Sequence, residues 1–465
     1  MSLTKVSYSM ISGAFVNALD YGATGDGTTN DTSALQAAIN AAISLKQPLY
    51  IPSGTYKTTA ELTIQNTYGV GLDVYGAGDG TTVIKAFHTG RSILSMIGAV
   101  NCSLNHITLQ GDTTTFPKIG LLLGRSSTAS AGWHTFNKIL ITGAFSLAGI
   151  YNIASESNGF YDLFVIFSSQ ATAKYGVCIA GSDFESVGGL TASTMIGQMF
   201  YNASIYMGGS SGVATVYING SVSTGNIGFY GGYFVASTVG SSYVQINSGL
   251  QDGLSSSGPF IFDNVSGETI GVISVTGFKF TASTGGIFCR QVSIRNCVFL
   301  VGSSGKFLTE DSLIGLKNSS IQGWGFIDTN NFSSPAPITV NSNNSLTTID
   351  YGYGFYQDST YTPVITSSSG TIGAYTASGR YVRNGNAVVL SLVINITTLG
   401  TASGNLIFNL PFPVVTGERY IGSAQNTSDG TLGVIRVSVA EFLIIPTSLT
   451  AGTFVATLPY NTYGY

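Results

Sequence analysis

Apolar positions along this chain follow three different rhythms. Over residues 35–43 they recur at helical spacing: Leu35, Ala38, Ile39, Ala42 and Ile43 form one stripe, and alanines fill the rest. From about residue 60 to 350 they come as short strand-like runs, at residues 104–109, 138–141, 162–166, 228–230, 277–280 and 292–299, often with Asn or Gly alongside. These runs are separated by gaps of roughly 15–35 residues, as the rungs of a solenoid with variable loops would be. From about Gln357 the pattern becomes antiparallel: Tyr361-Thr362-Pro363-Val364 opens it, residues 379–396 read turn, strand, turn and strand, and residues 409–414 and 454–465 close it. The Pro- and Asn-rich stretches at 333–337 and 341–344 mark a connection between the two.

The helical stripe sits inside a recognisable frame. A short apolar strand ends at Leu19, and a turn-forming run from Gly22 to Thr29 follows. Asp31 and Thr32 are placed to cap the helix. Lys46-Gln47-Pro48 stops it, Leu49-Tyr50-Ile51 reads as a buried strand, and Pro52-Ser53-Gly54 turns away. One amphipathic helix ahead of a long glycine-rich β chain suits an end cap that shields the first strands of a stack from edge pairing. Asp20, Asp26 and Asp31 then have turn and cap roles.

This passage, with the preceding residues 7–23, resembles the N-terminal signature of the pectate-lyase-like right-handed β-helix proteins, in the branch of phage tailspikes and tail fibres. Asn30 stands where that signature usually has an acidic residue. The last ~105 residues resemble the small β-sandwich at the end of many such proteins; its markers are the opening Thr-Pro, the Gly-Arg-Tyr strand and the Leu-Pro-Phe element. The resemblance implies an all-β chain: a cap over residues 1–57, a right-handed parallel β-helix over 58–356, and an antiparallel β-sandwich over 357–465. It also implies a homotrimer on a virion tail, docked by a short anchor or through an adaptor protein, whose partner is a bacterial capsular polysaccharide or a lipopolysaccharide O-antigen.

Composition narrows the function. Only 9% of residues are charged, against ~25% in ordinary soluble domains, and the net charge of −4 gives no basic footprint for nucleic acid. Mean hydropathy is +0.30, yet no apolar run approaches the ~18 residues of a membrane span. Lys5 precedes residues 6–16, which are too polar for a signal peptide's apolar core, so synthesis in a host cytoplasm is expected. Polar surface must come from Ser, Thr, Asn, Gln and Tyr, and 25 Tyr with 26 Phe supply aromatic faces. Neutral polar and aromatic surface suits sugars. Cys102, Cys178, Cys289 and Cys297 form no CxxC pair and no His/Cys cluster, so no zinc site is expected and buried free thiols are.

The pectate-lyase calcium site and the polygalacturonase residue set have no counterpart in order along the chain. Carboxylate chemistry remains, and it needs no cofactor. Asp183 and Glu185, at i and i+2, share a face if they lie on a strand, ~6.5–7 Å apart. Glu156 comes one rung earlier. Glycoside hydrolysis with inversion takes an acid and a base ~6.5–9.5 Å apart. In that reading Glu156 is the acid, Asp183 and Glu185 orient water, and Asp162 is a spare on the rung of Glu156. The other reading puts Asp183 in the Gly181-Ser182 turn and makes Glu185 a solvated loop charge. Asp252, Asp263 and Glu268 form a second acidic group. Trp133 and His134 are a candidate sugar-stacking face, with Arg125 as a further substrate contact; Trp133 otherwise serves the core or a subunit contact. His106, His134 and Arg125 would serve a lyase instead. The expected function is therefore a tailspike that binds and depolymerises a surface polysaccharide by endo-glycosidic hydrolysis, with a lyase or a non-catalytic receptor-binding fibre as alternatives.

Overall fold

A computed structural model describes residues 14–66, 70–193, 195–208, 212–220, 224–238, 240–248, 259–269, 274–282, 287–301, 305–310, 314–317, 319–322, 325–327, 338–339, 348–349, 356–384, 387–411, 420–430, 432–438, 441–446 and 449–461. The acidic residue Asp252 and the stretches 333–337 and 341–344 lie outside the described residues, as does the Cys289 side chain. The chain divides into two compact units, one holding residues 1–321 with 326–348, the other 322–325 with 349–465.

The first unit is a right-handed parallel β-solenoid of about 9 turns. One face is a ten-stranded parallel sheet, and a 19-stranded parallel sheet supplies the rest of each rung. Each rung repeats the side-chain register of the one before. Phe136 pairs with Phe160, Phe160 with Phe200, Phe200 with Phe229, and Phe229 with Phe262. Their rings stack inside the coil at centroid distances of 4.6, 4.4, 4.3 and 5.5 Å, with interplanar angles of 14° or less. All five are 1% exposed or less.

Two corners of the rung are made by single residues with left-handed backbone. At one corner Asn101, Trp133, Ser157, Gly197, Asn226 and Gln291 adopt φ between 53° and 74°. At the other His106, Lys138, Asp162, Asn202, Gly231, Asn264 and Asn296 adopt φ between 51° and 68°. Strand register aligns the members of each set, for Asn105 pairs with Asn137 and Ile107 with Ile139 on either side of His106 and Lys138. Asn and Gly tolerate this conformation at least cost, which is why they recur beside the strand signals.

Helix α1 (Thr32–Leu45) closes the N-terminal end, with Ala34, Leu35, Ala38, Ile39 and Ala42 buried. Leu35 and Ile39 face the interior with Leu49, Ile51, Leu62 and Ile64. Asp31 stands at the N-cap, but its side chain does not cap the helix. Its carboxylate accepts from Thr24 N–H at 2.7 Å, the Thr24 hydroxyl at 3.0 Å and Gly25 N–H at 3.1 Å. Asp31 is fully buried and ties the preceding turn to the helix start. The Asn30 side chain takes over the helix end by accepting from Thr32 N–H at 3.1 Å. Asp26 accepts from Thr28 and Thr29, and the Thr29 hydroxyl bond leads in holding its carboxyl well below the usual range. The turn roles of Asp26 and Asp31 are thus met, with the helix-capping task moved by one residue.

The second unit is a nine-stranded antiparallel sheet. Strands Ala374–Asn384, Ala387–Thr398 and Gly452–Asn461 run side by side. Val388, Leu390, Leu392 and Ile394 share one core with Leu406, Phe408, Ile435 and Leu458, so strands from separate parts of the sheet order close on the same interior.

The Phe stack gives a direct test. Phe200→Ala removes a ring packed between two others and should cost ~3–5 kcal/mol. The expected readout is a lower guanidinium midpoint than wild type. A loss under ~1 kcal/mol would mean that the stack closes over the gap.

Candidate functional site

On the outer face of the same strands that carry the Phe stack lies a second aromatic stack. Tyr161 pairs with Tyr201 and Tyr201 with Tyr230. Their rings lie 5.1 and 5.2 Å apart at interplanar angles of 7° and 16°. Because successive strand residues face opposite sides, a Phe held inside at one position puts the next residue outside. The sequence signal is a triplet used three times: Gly159-Phe160-Tyr161, Met199-Phe200-Tyr201 and Gly228-Phe229-Tyr230. The first position of the triplet is small where a ring must lie close. A Cβ at Gly159 would meet the Tyr161 ring at 3.0 Å, and one at Gly228 would meet the Tyr230 ring at 2.6 Å.

Two of these rings, Tyr161 and Tyr201, line a shallow groove of about 430 Å³ with Trp133 at the corner. Trp133, Tyr161 and Tyr201 are 43%, 43% and 39% exposed. Thr135, Ser157, Gly159, Gly197 and Met199 complete most of the lining. The arrangement offers flat apolar faces flanked by short neutral polar groups. Such faces stack on the C–H face of a pyranose, while the hydroxyls and amides bond its rim.

The corner beneath Trp133 is set from within by buried amides. Gln198 Oε1 accepts from Asn152 Nδ2 at 2.8 Å and Asn158 Nδ2 at 3.1 Å, and Gln198 Nε2 donates to the Ser155 carbonyl at 2.7 Å. Asn158 Oδ1 accepts from His134 N–H at 3.1 Å. Asn152, Ser155, Asn158 and Gln198 are 1% exposed or less. Buried polar groups are stable only when bonded in this way, and they then fix one geometry. Glu156 lies on this corner, half-buried. Its N–H donates to the Ala131 carbonyl at 3.1 Å, and its carbonyl accepts from Trp133 N–H at 2.8 Å. Glu156 and Trp133 are therefore backbone neighbours on adjacent rungs. Among the described residues, no hydrogen bond or ion pair holds the Glu156 carboxylate.

The other expected residues are placed differently. His134 points inward: its neighbours in register are Cys102 and Asn158, and it is 1% exposed. Its Nδ1 accepts from Cys102 N–H at 3.3 Å. Burial drives its pKa down to about 4, so it is neutral at pH 7. It touches the floor of the groove but is buried, so it offers no face for a sugar to stack on. Asp183 and Glu185 are not on a strand. Counted from Ile153, which pairs with Ala180, Asp183 comes one rung after Glu156, but the residue that takes the Glu156 place on the next rung is Ile196, whose carbonyl accepts from Ser157 N–H at 2.8 Å. Beyond Ala180, however, the chain leaves the rung as a loop over residues 181–193. Tyr175 aligns with Ala214, a step of 39 residues, where Ala148 aligns with Tyr175 after 27. The i, i+2 argument fails because no pleat orients the two side chains.

That loop is a strap across the ten-stranded sheet. Phe184, Val187 and Leu190 pack on a cluster that includes Leu122, Tyr151, Tyr175, Cys178 and Tyr217. Asp183 accepts from the Tyr151 hydroxyl at 3.2 Å, Val187 N–H at 3.0 Å and Gly188 N–H at 2.8 Å. Glu185 accepts from Lys174 Nζ and the Tyr175 hydroxyl, each at 2.8 Å. Arg91 donates to the Gly188 carbonyl at 2.9 Å, and Arg125 to the Ser193 hydroxyl at 3.0 Å. Arg125 thus serves the strap and is not among the groove's lining residues. Asp162 is on the rung of Glu156, at the opposite corner, and accepts from Asn202 Nδ2 at 2.8 Å. In the second acidic group Asp263 pairs with Arg295 at 2.9 Å. Cys102, Cys178 and Cys297 are buried free thiols. Among the described residues there is no His/Cys/Asp/Glu group able to hold a metal ion, and no helix long and apolar enough to cross a membrane.

Comparison with known proteins places the first rungs. Residues 15–120 match the family model described as rhamnogalacturonase A/epimerase, pectate lyase-like. Mannuronan C5-epimerase AlgE2 of Azotobacter vinelandii is 40% identical over 77 residues, 15% of this chain and 7% of that protein. Glucan 1,3-beta-glucosidase of Cochliobolus carbonum is 44% identical over 59 residues, 12% of this chain and 8% of that protein. The chain thus spans under a tenth of the length of these curated relatives, and the family match ends before Trp133. Among solved structures, the Dettilon tailspike protein is similar with a TM-score of 0.44 at 13% identity, over 97% of this chain and 94% of that one. The enzymatically active domain of bacteriophage CBA120 tailspike protein 2 gives 0.43 at 12% identity, over 97% and 76%.

His134 carries a pH prediction. Its folded pKa lies below the unfolded 6.5, so the unfolded chain binds more protons at acid pH. Its contribution is intact above pH 6.5, falls as pH drops towards 4, and is then lost in full, ~3 kcal/mol at ~1.4 kcal/mol per pKa unit. Unfolding free energy measured from pH 7 to 4 should fall more steeply in wild type than in His134→Asn. Parallel curves would remove His134 as the cause.

Proposed function

We propose that this protein is a tailspike-type β-helix that binds a bacterial surface polysaccharide, a capsule or an O-antigen, along its outer wall. One observation carries the reading: the outward stack of exposed Tyr161 and Tyr201 with half-buried Tyr230, beside exposed Trp133, built on strands whose inner faces are locked by stacked Phe rings. A rigid wall with an aromatic face on successive rungs recognises a polymer without ordering mobile loops, so little entropy is lost on binding. Location on a virion tail, trimeric assembly and docking to a phage tail or adaptor protein belong to the same proposal.

Endo-glycosidic hydrolysis is the catalytic half of it. Glu156 is the proton donor, because its carboxylate stands unpaired beside the groove. Asp183, on the loop that leaves the next rung after Ala180, is the carboxylate that orients water, with Glu185 beside it. Asp162 is too remote to pair with Glu156: six strand residues separate them, ~20 Å, against the ~6.5–9.5 Å of an inverting pair. A second reading, binding without cleavage, is favoured by the bonds that commit Asp183 and Glu185 to the strap. A lyase is disfavoured, since His134 faces the core.

The decisive experiment incubates the protein with capsular and O-antigen polysaccharides and follows chain length, reducing ends and ultraviolet absorbance. Shortening with new reducing ends and no absorbance is expected of the hydrolase, and Glu156→Gln should then lower the rate by ~10²-fold or more while leaving binding intact. Shortening with absorbance would replace it with a lyase, and binding alone with a receptor fibre. In each case Tyr201→Ala should weaken binding by ~5–50-fold, measured by calorimetry or retardation. Unchanged affinity would move the site off this wall.

A further inference from the structure

We infer that the polymer this wall takes is uncharged: a neutral polysaccharide, not a polyuronate, a sialylated chain or a sulfated one. The inference rests on the binding reading above and specifies its ligand. It also runs against what the curated relatives' names suggest, since those include enzymes of mannuronan and alginate.

The charges of the wall can be counted from the register. Its two outward columns run from Asp73 and Tyr75 at the capped end to Ser293 and Arg295, and each is flanked by a corner set. Along them stand three carboxylates, Asp73, Asp162 and Asp263, against two cations, Lys138 and Arg295, and in the position just before the first corner Glu156 precedes Ser157 and Arg290 precedes Gln291. Arg295 is held by Asp263 at 2.9 Å. Lys138 lies one rung from Asp162 at the same corner. Among the described residues neither cation lines the groove, and no Lys or Arg does. The groove's own polar groups are hydroxyls and amides, and the nearest carboxylate, Glu156, has no partner among the described residues.

An acidic polymer laid here would bring one negative charge after another to a wall with a negative excess. Each carboxylate drawn within a few ångströms of Glu156 or Asp73 costs on the order of 1 kcal/mol even with the screening of bulk water. No guanidinium or ammonium in the groove offsets that cost or replaces the lost hydration. A neutral pyranose meets no such cost, and the Tyr and Trp faces meet its C–H face. Binding of this kind depends little on salt, because no counterions are displaced.

The test measures binding to a panel of bacterial polysaccharides grouped as neutral or acidic, with alginate and polygalacturonate among the acidic probes, at low and high sodium chloride. Each acidic polymer is also tested after its carboxyls have been reduced to alcohols. The expected result is binding confined to neutral polymers, changing by no more than about two-fold with salt. Binding of an acidic polymer that weakens on reduction or with salt overturns the inference and leaves the polysaccharide reading standing. Binding of no polymer overturns that reading, and this inference with it. Thr135→Lys adds a cation to the groove and should raise affinity for the acidic probes by about five-fold at low salt. No gain there would show that the groove's charge does not set the choice, and would also overturn the inference.

Discussion

Vertical register is the constraint on which the rest of this molecule depends. Each rung must set its residues over the equivalent residues of the last, and a slip of one position would turn every inward side chain outward. The single left-handed residue at each of two corners enforces this. It bends the strand without ending it, so Thr135–Gly143, Met195–Tyr206 and Thr224–Ala236 each run around a corner and stay in pairing on both sides. Loops between rungs are then free to vary, because what they must deliver is the next strand in phase.

Core and wall follow from one alignment seen on its two faces. The Phe stack inside and the Tyr stack outside are adjacent residues of the same strands. The interior stack is buried and close-packed, which leaves the outer rings on a surface that does not yield. The polar interior at the corner, centred on Gln198, has the same effect by another route. Its amides bond both the strand and the Ser155 carbonyl, so the segment carrying Glu156 cannot shift without leaving buried groups unbonded.

Much of this was legible in the sequence where the signal is local. The helical stripe, the Gly-rich turn and the apolar runs each report a period or a turn that neighbouring residues impose. The site was less legible, because it is assembled across rungs. Tyr161, Tyr201 and Tyr230 are unevenly spaced along the chain, and only the repeated Gly/Met-Phe-Tyr triplet ties them together. Asp183 and Glu185 misled for a physical reason. An acid-x-acid spacing looks the same on a strand and on a loop, and nothing local announces a strap whose Phe184, Val187 and Leu190 bury against rungs behind it. His134 misled likewise: beside an exposed Trp133, its inward direction is set by alternation from a corner that only the register reveals.

The low charge of the chain has its explanation in the same geometry. In a solenoid, a residue type at one position recurs above itself about every 4.8 Å, so a column of like charges would repel along its whole length. Two solutions appear. Most columns use neutral polar or aromatic residues, and where charges occur they tend to meet the opposite sign, as Lys138 does one rung from Asp162 and Asp263 beside Arg295. Lys57 directly beside Lys85 is an exception, and there the Phe87 ring lies 5.1 and 4.8 Å from the two ammonium groups while Asp112 pairs with Lys85 at 3.4 Å. A wall made under this rule is sparsely charged and aromatic before any ligand is considered. The chemistry available to recognise a polymer is thus a consequence of how the strands stack, and a charged ligand would require the register to tolerate a column it otherwise avoids.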